Sequence, residues 1–286
     1  MDRPLGVFDS GLGGLTVARA LLDALPEERI LYLGDTARVP YGSRSAKTVI
    51  RYARGCARVL TARGVKALVV ACNTVSAVAL DMLRAELDLP VIGVVDPGAV
   101  AAVHAAEALS SAGRATRIGV LGTQGTVASG AYPRAVGRLS TRIEVIAQAA
   151  PLLVPLVEEG WIEGVVPDVV VRRYVEPLIA AGAGVLLLGC THYPLLRATI
   201  ERVASELAGR PVVVVDSAKA TAAVVRELLA EGRIPRSRSA AEPRLEVLAT
   251  DVPGSFSEVA RRLLGADVPA ATQIDLSMAE APVGPA

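Results

Sequence analysis

Two of the three cysteines in this 286-residue chain stand where a short apolar run gives way to polar residues. The chain reads Cys72-Asn73-Thr74 in the first case and Cys190-Thr191-His192 in the second. A thiol between a buried strand and a helix lies near backbone N–H groups and the positive end of the helix dipole, which favour the thiolate. We therefore expect Cys72 and Cys190 to be reactive. Cys56 lies in a helical segment without polar neighbours, and we expect it to pack in the core.

Two thiols in matched positions suit the inversion of a carbon stereocentre by proton transfer. The hydrogen must leave one face of the carbon and return at the other, which a single base cannot do without crossing the substrate plane. A thiolate on one face and a thiol on the other can do both, and they exchange roles in the reverse direction. Cys72 and Cys190 predict this chemistry if the fold places them on opposite sides of a cleft.

Two further residues are candidates to assist the thiols. Asp9 ends the first apolar run, beside glycines that let the backbone approach a ligand: Gly11, Gly13 and Gly14. Its alternative role is to cap the next helix. The loop has neither the lysine of a P-loop nor the G-x-G-x-x-G spacing, which disfavours a nucleotide site. His192 can move protons near neutral pH, whereas we expect His104 to have only a surface or packing role.

Other polar groups are candidates to hold a ligand. In the segment YLGDTARVPYG, the Tyr41 hydroxyl and free backbone N–H groups can bind a carboxylate, or the segment is an ordinary turn. Thr123 and Thr126 offer hydroxyls from the other half of the chain, or they cap the following helix. Glu158 is a carboxylate in an apolar stretch, which by itself indicates little.

The elements that must position these residues alternate between apolar runs and helical segments. Continuously apolar runs are typical of parallel strands buried on both faces. They are Leu5–Phe8, Ile30–Leu33, Ala67–Ala71, Val91–Val95, Ile118–Leu121, Val185–Leu188 and Val212–Val215. The helical segments between them include Leu15–Leu25, Ala46–Arg63, Ser76–Leu87 and Leu195–Leu207. This alternation predicts an α/β fold with doubly wound parallel sheets and ligands at the carboxyl ends of the strands.

Segments from the first half of the chain are similar in sequence to segments from the second half. Val69–Thr74 matches Leu187–His192, and Gly6–Gly11 matches Gly119–Thr123. One explanation is that all parallel α/β units look alike. The scarcity of cysteine favours the other, in which two pseudo-symmetric domains face each other across a cleft that holds the active site.

Composition excludes several classes of function. The 30 basic and 29 acidic residues leave a net charge of +1, which provides no electrostatic footprint for nucleic acid or an anionic membrane. The two histidines and three cysteines lack the spacing of a metal site. No apolar run approaches the roughly 18–20 residues of a membrane span. An odd cysteine count without a signal peptide predicts free thiols in the cytoplasm.

Six motifs together resemble the cofactor-independent aspartate/glutamate racemases, and glutamate racemases in particular. They are FDSGLGGLTV, YLGDTARVPYG, ACNTVSA, GVLGTQGTV, PLVEEG and LGCTHYPLL. The resemblance implies interconversion of L- and D-glutamate, with D-glutamate supplied for peptidoglycan synthesis. It also implies a small-molecule substrate, a cytoplasmic protein and no pyridoxal phosphate or metal. We also expect a homodimer.

The resemblance assigns roles to residues of this chain. Cys72 and Cys190 would be the catalytic thiols, with Asp9 assisting the first and His192, supported by Glu158, assisting the second. The remaining motif residues would bind the substrate together with Asp9 and His192: Ser10, Tyr41, Gly42, Asn73, Thr74, Thr123, Thr126 and Thr191. The chain departs from the family pattern at Asp96, where GVIEPG becomes GVVDPG, and at Val75, where ACNTASA becomes ACNTVSA. We expect Val75 to narrow the space near the substrate.

The resemblance also implies two domains, the first completed by the C-terminal segment. We place the first domain at residues 1–97 and 214–269 and the second at 98–213, and we interpret 270–286 as a flexible tail. Three alternative functions remain open: a racemase of aspartate or another small amino acid, a non-catalytic two-domain module that binds a small anion, and a thiol hydrolase using Cys190 and His192. The hydrolase leaves Cys72 unexplained.

Overall fold

A computed structural model describes residues 3–111, 117–237, 243–265 and 268–276. Its strands, all parallel, are β1 (Leu5–Asp9), β2 (Ile30–Gly34), β3 (Ala67–Val70), β4 (Val91–Gly93), β5 (Arg117–Gly122), β6 (Val145–Ala149), β7 (Ala183–Gly189), β8 (Val213–Asp216), β9 (Leu245–Ala249) and β10 (Thr272–Gln273). In the described ranges they form two sheets, ordered β10-β9-β2-β1-β3-β4 and β6-β5-β7-β8. The predicted α/β fold with parallel sheets is confirmed.

Helices cover both sheets. They are α1 (Leu15–Ala24), α2 (Ala46–Ala62), α3 (Asn73–Val78), α4 (Leu80–Glu86), α5 (Val95–Ser111), α6 (Gln124–Ala128), α7 (Ala131–Leu139), α8 (Leu153–Glu158), α9 (Val165–Ala180), α10 (Arg197–Ala208), α11 (Ser217–Ala230) and α12 (Phe256–Leu264). Short 3-10 turns lie at Thr36–Arg38, Tyr41–Ser43 and Tyr193–Leu196. Among the described residues, none of the helices has the length and apolarity needed to cross a membrane.

The continuously apolar runs form central strands because both of their faces are covered. Every residue of β1, β3 and β7 is buried. The predicted helix Ser76–Leu87 is instead two helices, since Ala79 has a non-helical backbone with φ −124° and ψ −8°. The predicted helix Leu195–Leu207 is preceded by a 3-10 turn with Pro194 at its start. Proline fits there because the first turn of a helix leaves its N–H groups without partners.

The two sheets repeat one topology. Within the first, β2-β1-β3-β4 has the spatial order of β6-β5-β7-β8 in the second, and β9 and β10 extend the first sheet beyond β2. Cys72 follows the third strand of its set and Cys190 follows the third of the other. Asp9 and Thr123 stand likewise at the ends of β1 and β5. The sequence repeat therefore corresponds to equivalent places in two sheets of like topology.

The chain passes from the first sheet to the second through α5 and returns through α11. A Cβ atom on Gly98 of α5 would lie 3.1 Å from Cβ of Ser217 at the start of α11, so the two crossings pack together. The predicted domain boundary at residue 214 falls inside β8, which pairs with β7 of the second sheet. The chain therefore leaves the second sheet only after Asp216. Of the predicted tail, Thr272 and Gln273 pair with β9, and 277–286 lie outside the described residues.

Candidate active site

A cavity of about 340 Å³ lies where the loops after the strands of the two sheets meet. Cys72 and Cys190 both line it, one from each sheet. Parallel strands deliver the residues that follow them to a single edge, so two such edges opposed form a cleft. The volume is in the range of small-molecule sites, roughly 300–1,000 Å³.

Cys72 occupies the N-cap of α3, and its Sγ lies 3.5 Å from Oγ of Ser10. Burial, and after it the nearby Asp9 carboxylate, raise the pKa of this thiol to about 12, whereas the Ser10 hydroxyl opposes the shift. The expected thiolate is therefore not favoured at Cys72, because loss of hydration outweighs the helix N-terminus. Cys56 is fully buried in the core of the first domain, where it was predicted to pack.

Asp9 lies beneath the cavity rather than on its wall. Its Oδ2 accepts a hydrogen bond from the Gly11 N–H at 3.1 Å, while its buried Oδ1 has no partner among the described residues. Burial raises the pKa of this carboxyl, and the charge of His192 opposes the shift. Asp9 is not the N-cap of α1; Gly14 holds that position without a side-chain bond.

The glycine loop after β1 lies directly against the loop that carries the second thiol. A Cβ atom on Gly13 would come within 2.4 Å of both Nδ1 of His192 and Oγ1 of Thr191. In the same region, Oγ1 of Thr16 donates a hydrogen bond to the Thr191 carbonyl at 2.9 Å. Glycine is thus required at position 13 for the two loops to meet, and the contact brings the Asp9 and His192 loops together.

Cys190, His192 and Glu158 form a chain of contacts. Sγ of Cys190 lies 3.9 Å from Nδ1 of His192, and Nε2 of His192 lies 3.1 Å from Oε1 of Glu158. Burial alone would lower the pKa of His192, but hydrogen bonds and negative charge from Cys190 and Glu158 raise it to about 10. Glu158 ends α8, so the carboxylate in contact with His192 comes from a segment 34 residues away in the sequence.

Three threonine hydroxyls join the two halves of the site. Oγ1 of Thr74 lies 2.9 Å from Oγ1 of Thr123 and 3.3 Å from that of Thr126, and the last two are 3.1 Å apart. Thr123 also caps α6, accepting a bond from the Thr126 N–H. Both readings of these threonines from the sequence, capping and cleft hydroxyls, are therefore compatible with their positions.

The Tyr41 side chain is held from behind. Its hydroxyl donates to Oδ2 of the fully buried Asp35, which also pairs with Arg38 at 3.0 Å and accepts from Thr250 at 2.9 Å. The expectation that this hydroxyl binds a substrate carboxylate is therefore not met, because Asp35 already engages it. Tyr41 still lines the cavity together with Gly42, where backbone N–H groups of the turn are the available donors.

Most of the residues selected from the sequence line this one cavity. They are Ser10, Tyr41, Gly42, Cys72, Asn73, Thr74, Thr123, Glu158, Cys190, Thr191 and His192. Asp9 and Thr126 lie behind them, and Val75 is buried in the core rather than narrowing the cavity. Gly11, one of the glycines expected to let the backbone approach a ligand, also lines the cavity. Sequence reasoning assigned no role to the other lining residues: Val39, Pro40, Ser43, Gln124, Pro151, Val154 and Pro155. Three of these lie in or next to α8 and have no chemical signature in the sequence.

The residues that line the cavity determine which groups can bind an anion there. In the described part of the chain, neither lysine nor arginine lines the cavity. Carboxylates must therefore bind to hydroxyls and to backbone N–H groups, which can hold anions where they converge. The described residues contain no cluster of three or more His, Cys, Asp and Glu side chains arranged to hold a metal ion.

Comparison with known proteins finds extensive similarity. The family described as Asp/Glu/Hydantoin racemase matches residues 14–225. The chain is 45% identical over 274 residues to a glutamate racemase from Geobacter metallireducens, which covers 96% of this chain and 97% of that protein. A solved glutamate racemase isoform from Bacillus anthracis is 36% identical, with a TM-score of 0.87 over 96% of this chain and 98% of that chain. A Francisella tularensis glutamate racemase, solved in complex with D-glutamate, is 31% identical, with a TM-score of 0.84 over 96% of this chain and 98% of that chain.

Proposed function

The chain belongs to the Asp/Glu/hydantoin racemase family, and we propose that it interconverts L- and D-glutamate with Cys72 and Cys190 as the two proton-transferring groups. It is a glutamate racemase and thus an isomerase. The observation that carries the site assignment is that both thiols, delivered from equivalent strand ends of two sheets, line one cavity. Two of the other motif residues lie next to these sulfurs: Oγ of Ser10 is 3.5 Å from Sγ of Cys72, and Nδ1 of His192 is 3.9 Å from Sγ of Cys190.

The reaction needs one thiolate and one thiol at the same time. Burial and the Asp9 carboxylate keep Cys72 protonated, with a pKa raised to about 12. On the other side, His192 retains its proton because hydrogen bonds and negative charge from Cys190 and Glu158 raise its pKa to about 10. We therefore assign Cys72 as the acid and Cys190, which lies beside this histidine, as the base in the direction described next.

Proton transfer then proceeds across the substrate. The Cys190 thiolate removes the α-hydrogen of one enantiomer, the electron pair of the C–H bond stays on the α-carbon, and the Cys72 thiol delivers its proton to the opposite face. The products are the other enantiomer, a Cys72 thiolate and a Cys190 thiol. Asp9 raises the pKa of Cys72, and His192 lies 3.9 Å from the Cys190 sulfur. Proton exchange with solvent at the two sulfurs, Cys190 losing the proton that it took from the substrate and Cys72 gaining one, returns the site to its starting state.

Substrate recognition follows from the lining. Glutamate brings two carboxylates and one ammonium group, and the lining offers hydroxyls of Ser10, Thr74 and Thr191 together with backbone N–H groups near Gly42. Hydroxyl oxygens of the same lining also accept hydrogen bonds, which suits the ammonium group. The complex of the Francisella tularensis relative with D-glutamate supports glutamate over aspartate as the substrate.

The experiment follows racemisation of L-glutamate in D2O without added cofactor. With the wild-type protein, the optical rotation of the L-glutamate solution should fall, and solvent deuterium should appear at the α-carbon of the product. Cys72→Ser and Cys190→Ser should each lose at least about 100-fold in kcat/KM, since a positioned proton-transfer group contributes on the order of 10²–10⁴. Cys56→Ala is the matched control and should retain activity, because this cysteine lies in the core.

Three outcomes would each overturn a part of the proposal. If folded wild-type protein leaves both enantiomers of glutamate unchanged, the proposed racemase activity is wrong. Full racemisation by both serine variants would show that the two thiols are not the proton-transferring groups, and turnover of D- and L-aspartate in preference to glutamate would change the substrate.

The wider setting is also proposed. We expect the enzyme to act in the cytoplasm and to supply D-glutamate for peptidoglycan synthesis. We further propose a homodimer, supported by exposed large apolar side chains in the second domain: Leu152, Trp161, Val165, Val166 and Val169. Exposed apolar surface that is contiguous often marks a site of contact with another protein.

A further inference from the structure

The Glu158 carboxylate depends on the end of a short helix for its place beside His192. Glu158 is the last residue of α8, which has six residues, and its side chain is 45% exposed. Packing around the side chain therefore does not confine the carboxylate, whose Oε1 lies 3.1 Å from Nε2 of His192. A helix this short is not stable by itself, so contacts with the rest of the chain determine where it ends.

Arg262 of α12 binds this end of α8. Its Nη1 donates hydrogen bonds to the Glu158 carbonyl at 2.6 Å and to the Val157 carbonyl at 3.3 Å. The last carbonyl groups of a helix have no donor within the helix, and a cation at this end also interacts favourably with the helix dipole. The guanidinium of Arg262 therefore fixes the backbone of the residue that carries the carboxylate.

Gly160, just past the end of α8, makes the contact possible. Its φ of +77° lies in the left-handed region, and a Cβ atom there would be 2.7 Å from both Cζ and Nη2 of Arg262. The guanidinium thus lies directly against the backbone of this turn. A lysine would keep the charge, but its ammonium group lacks the planar fork that fills this space.

The contact also joins the two halves of the molecule. α12 follows β9 of the first sheet, whereas α8 lies between β6 and β7 of the second. α12 is anchored on its own side, because Nη1 of Arg19 in α1 donates to the Leu264 carbonyl at 2.8 Å and because Phe256 and Leu263 are buried. Arg262 therefore ties the end of α8 to a helix that is held by the first half.

We propose that Arg262 is a positioning residue, which holds the C-terminal end of α8 so that the Glu158 carboxylate stays within hydrogen-bond distance of His192. The proposal rests on the function proposed above, in which His192 acts beside Cys190. In the described ranges, the titratable groups that face His192 are Cys190 of its own loop, Glu158 of α8 and Asp9 at the end of β1. Glu158 is the one that lies on the helix bound by Arg262, so the loss of Arg262 should reach His192 through Glu158.

NMR titration of the histidine rings measures this effect. The chain has two histidines, and the exposed His104 is the internal reference. Burial lowers the pKa of His192, but hydrogen bonds and negative charge from Cys190 and Glu158 raise it to about 10. In Arg262→Met the contribution of Glu158 weakens while burial still favours the neutral ring. The pKa should therefore fall by about one unit, as for the loss of one hydrogen bond to a charged group.

Racemisation provides a second measurement. The alkaline limb of kcat/KM for glutamate should move to lower pH by the same amount in Arg262→Met, because this profile reports the ionisation of groups in the free enzyme. The free substrate titrates alike with every variant, so a difference between the profiles belongs to the enzyme.

Glu258→Gln is the matched control. Glu258 lies 2.9 Å from Nη2 of the same guanidinium and is 72% exposed, and its replacement leaves both carbonyl contacts in place. The pKa of His192 should not change in this variant. Arg262→Lys keeps the charge without the fork and should lower this pKa by about half a unit. In the double variant, Arg262→Met added to Glu158→Gln should have the same pKa as Glu158→Gln alone, since both changes remove one contact.

Three results would overturn the positioning role: an unchanged pKa of His192 in folded Arg262→Met, an equal fall in Glu258→Gln, or a further fall when Arg262→Met is added to Glu158→Gln. If Arg262→Met does not fold, Arg262→Lys decides in its place, and an unchanged pKa of His192 in that variant overturns the role. The titration needs no turnover. A wild-type protein without racemase activity would therefore reject the proposed function, whereas the titration would still decide whether Arg262 positions Glu158.

Discussion

At the scale of single residues, the two thiols are chemically alike but differ in their surroundings. Cys72 lies over a buried carboxylate, and burial raises its pKa to about 12. Cys190 lies beside a histidine whose pKa is raised to about 10. The difference is useful in a site that must begin each turnover with one thiolate and one thiol. It arises from Asp9 on one side and the His192–Glu158 pair on the other.

Replacing His192 tests this asymmetry. His192→Asn removes the positive charge next to Cys190, and we expect kcat/KM at pH 8 to fall by roughly 100-fold. In wild type the charge persists until the pH approaches the raised pKa of about 10. The pH profile of kcat/KM should therefore decline on its alkaline side in wild type, and this decline should be altered in the variant. A profile identical in shape and height for both proteins would contradict the role of His192.

His192 should also make the free energy of unfolding depend on pH, in a direction that follows from its pKa. The folded pKa of His192, about 10, exceeds the unfolded value of about 6.5. The folded state therefore binds more protons between these values, and the contribution to the free energy of unfolding is complete below pH 6.5 and is lost as the pH rises through 10. From pH 6.5 to pH 9.5, the free energy of unfolding measured in urea should fall by less in His192→Asn than in wild type.

At the scale of elements, the site depends on close approach between loops and short helices. α3 and α6 begin at the ends of β3 and β5, and Thr74 and Thr123 meet there across the cleft. The Tyr41–Ser43 turn lies against the same place, since a Cβ atom on Gly42 would be 2.7 Å from Cβ of Thr123. The lack of a side chain at Gly42 is what permits this approach.

Gly42→Ala should therefore open the cleft. The added methyl group must displace either the turn or Thr123, and we expect KM for glutamate to rise by at least about tenfold, because overpacking of this kind shifts backbone. Gly55→Ala is the matched control: Gly55 lies within α2 with no atom within 4 Å of the added Cβ. That change should leave activity intact and stabilise the fold by about 0.5–1 kcal/mol. Equal KM values for wild type and Gly42→Ala would contradict the contact.

At the scale of the whole molecule, two similar sheets are joined by the crossings at α5 and α11. Asp96, where the chain departs from the usual family pattern, lies in the first turn of α5. Its carboxylate is 2.8 Å from Arg138 of α7 and 3.9 Å from Arg84 of α4. Asp96 thus connects a helix of each domain at the crossing. All three side chains are partly exposed, so the contribution to stability is small.

The proposed homodimer belongs to this scale as well. The exposed valines of α9 lie in its first two turns. In a twofold arrangement with antiparallel α9 helices, these valines of one copy would face those of the other, because a twofold axis brings the same surface of both subunits together.

Sedimentation velocity tests this surface. Wild type should sediment as a dimer, and Val169→Glu should shift it to a monomer at the same concentration, because a buried charge without a partner is costly. Val252→Glu, at an exposed valine of the segment that precedes α12, is the matched control and should remain dimeric. A wild-type monomer at micromolar concentration, or a dimer in all three proteins, would reject this interface.

The sequence by itself determined the fold class, the two thiols and most of the polar side chains of the cavity. Apolar runs of buried parallel strands are visible in one dimension, and so is the repeated placement of Cys72 and Cys190 after such runs. Scarce residue types in long motifs indicated the family. These are local signals, because the residue after a parallel strand lies at the functional edge wherever the strand itself is placed.

Only the tertiary structure decided what surrounds those residues. The raised pKa of Cys72, the bond of the Tyr41 hydroxyl to Asp35, the place of Val75 in the core and the contact of Asn73 with Tyr132 all join or bury groups in ways that the motifs do not encode. The apolar wall from α8 likewise reaches the cavity from a distant part of the chain. Burial and partners depend on packing between the two domains, and packing is a property of the whole chain in three dimensions.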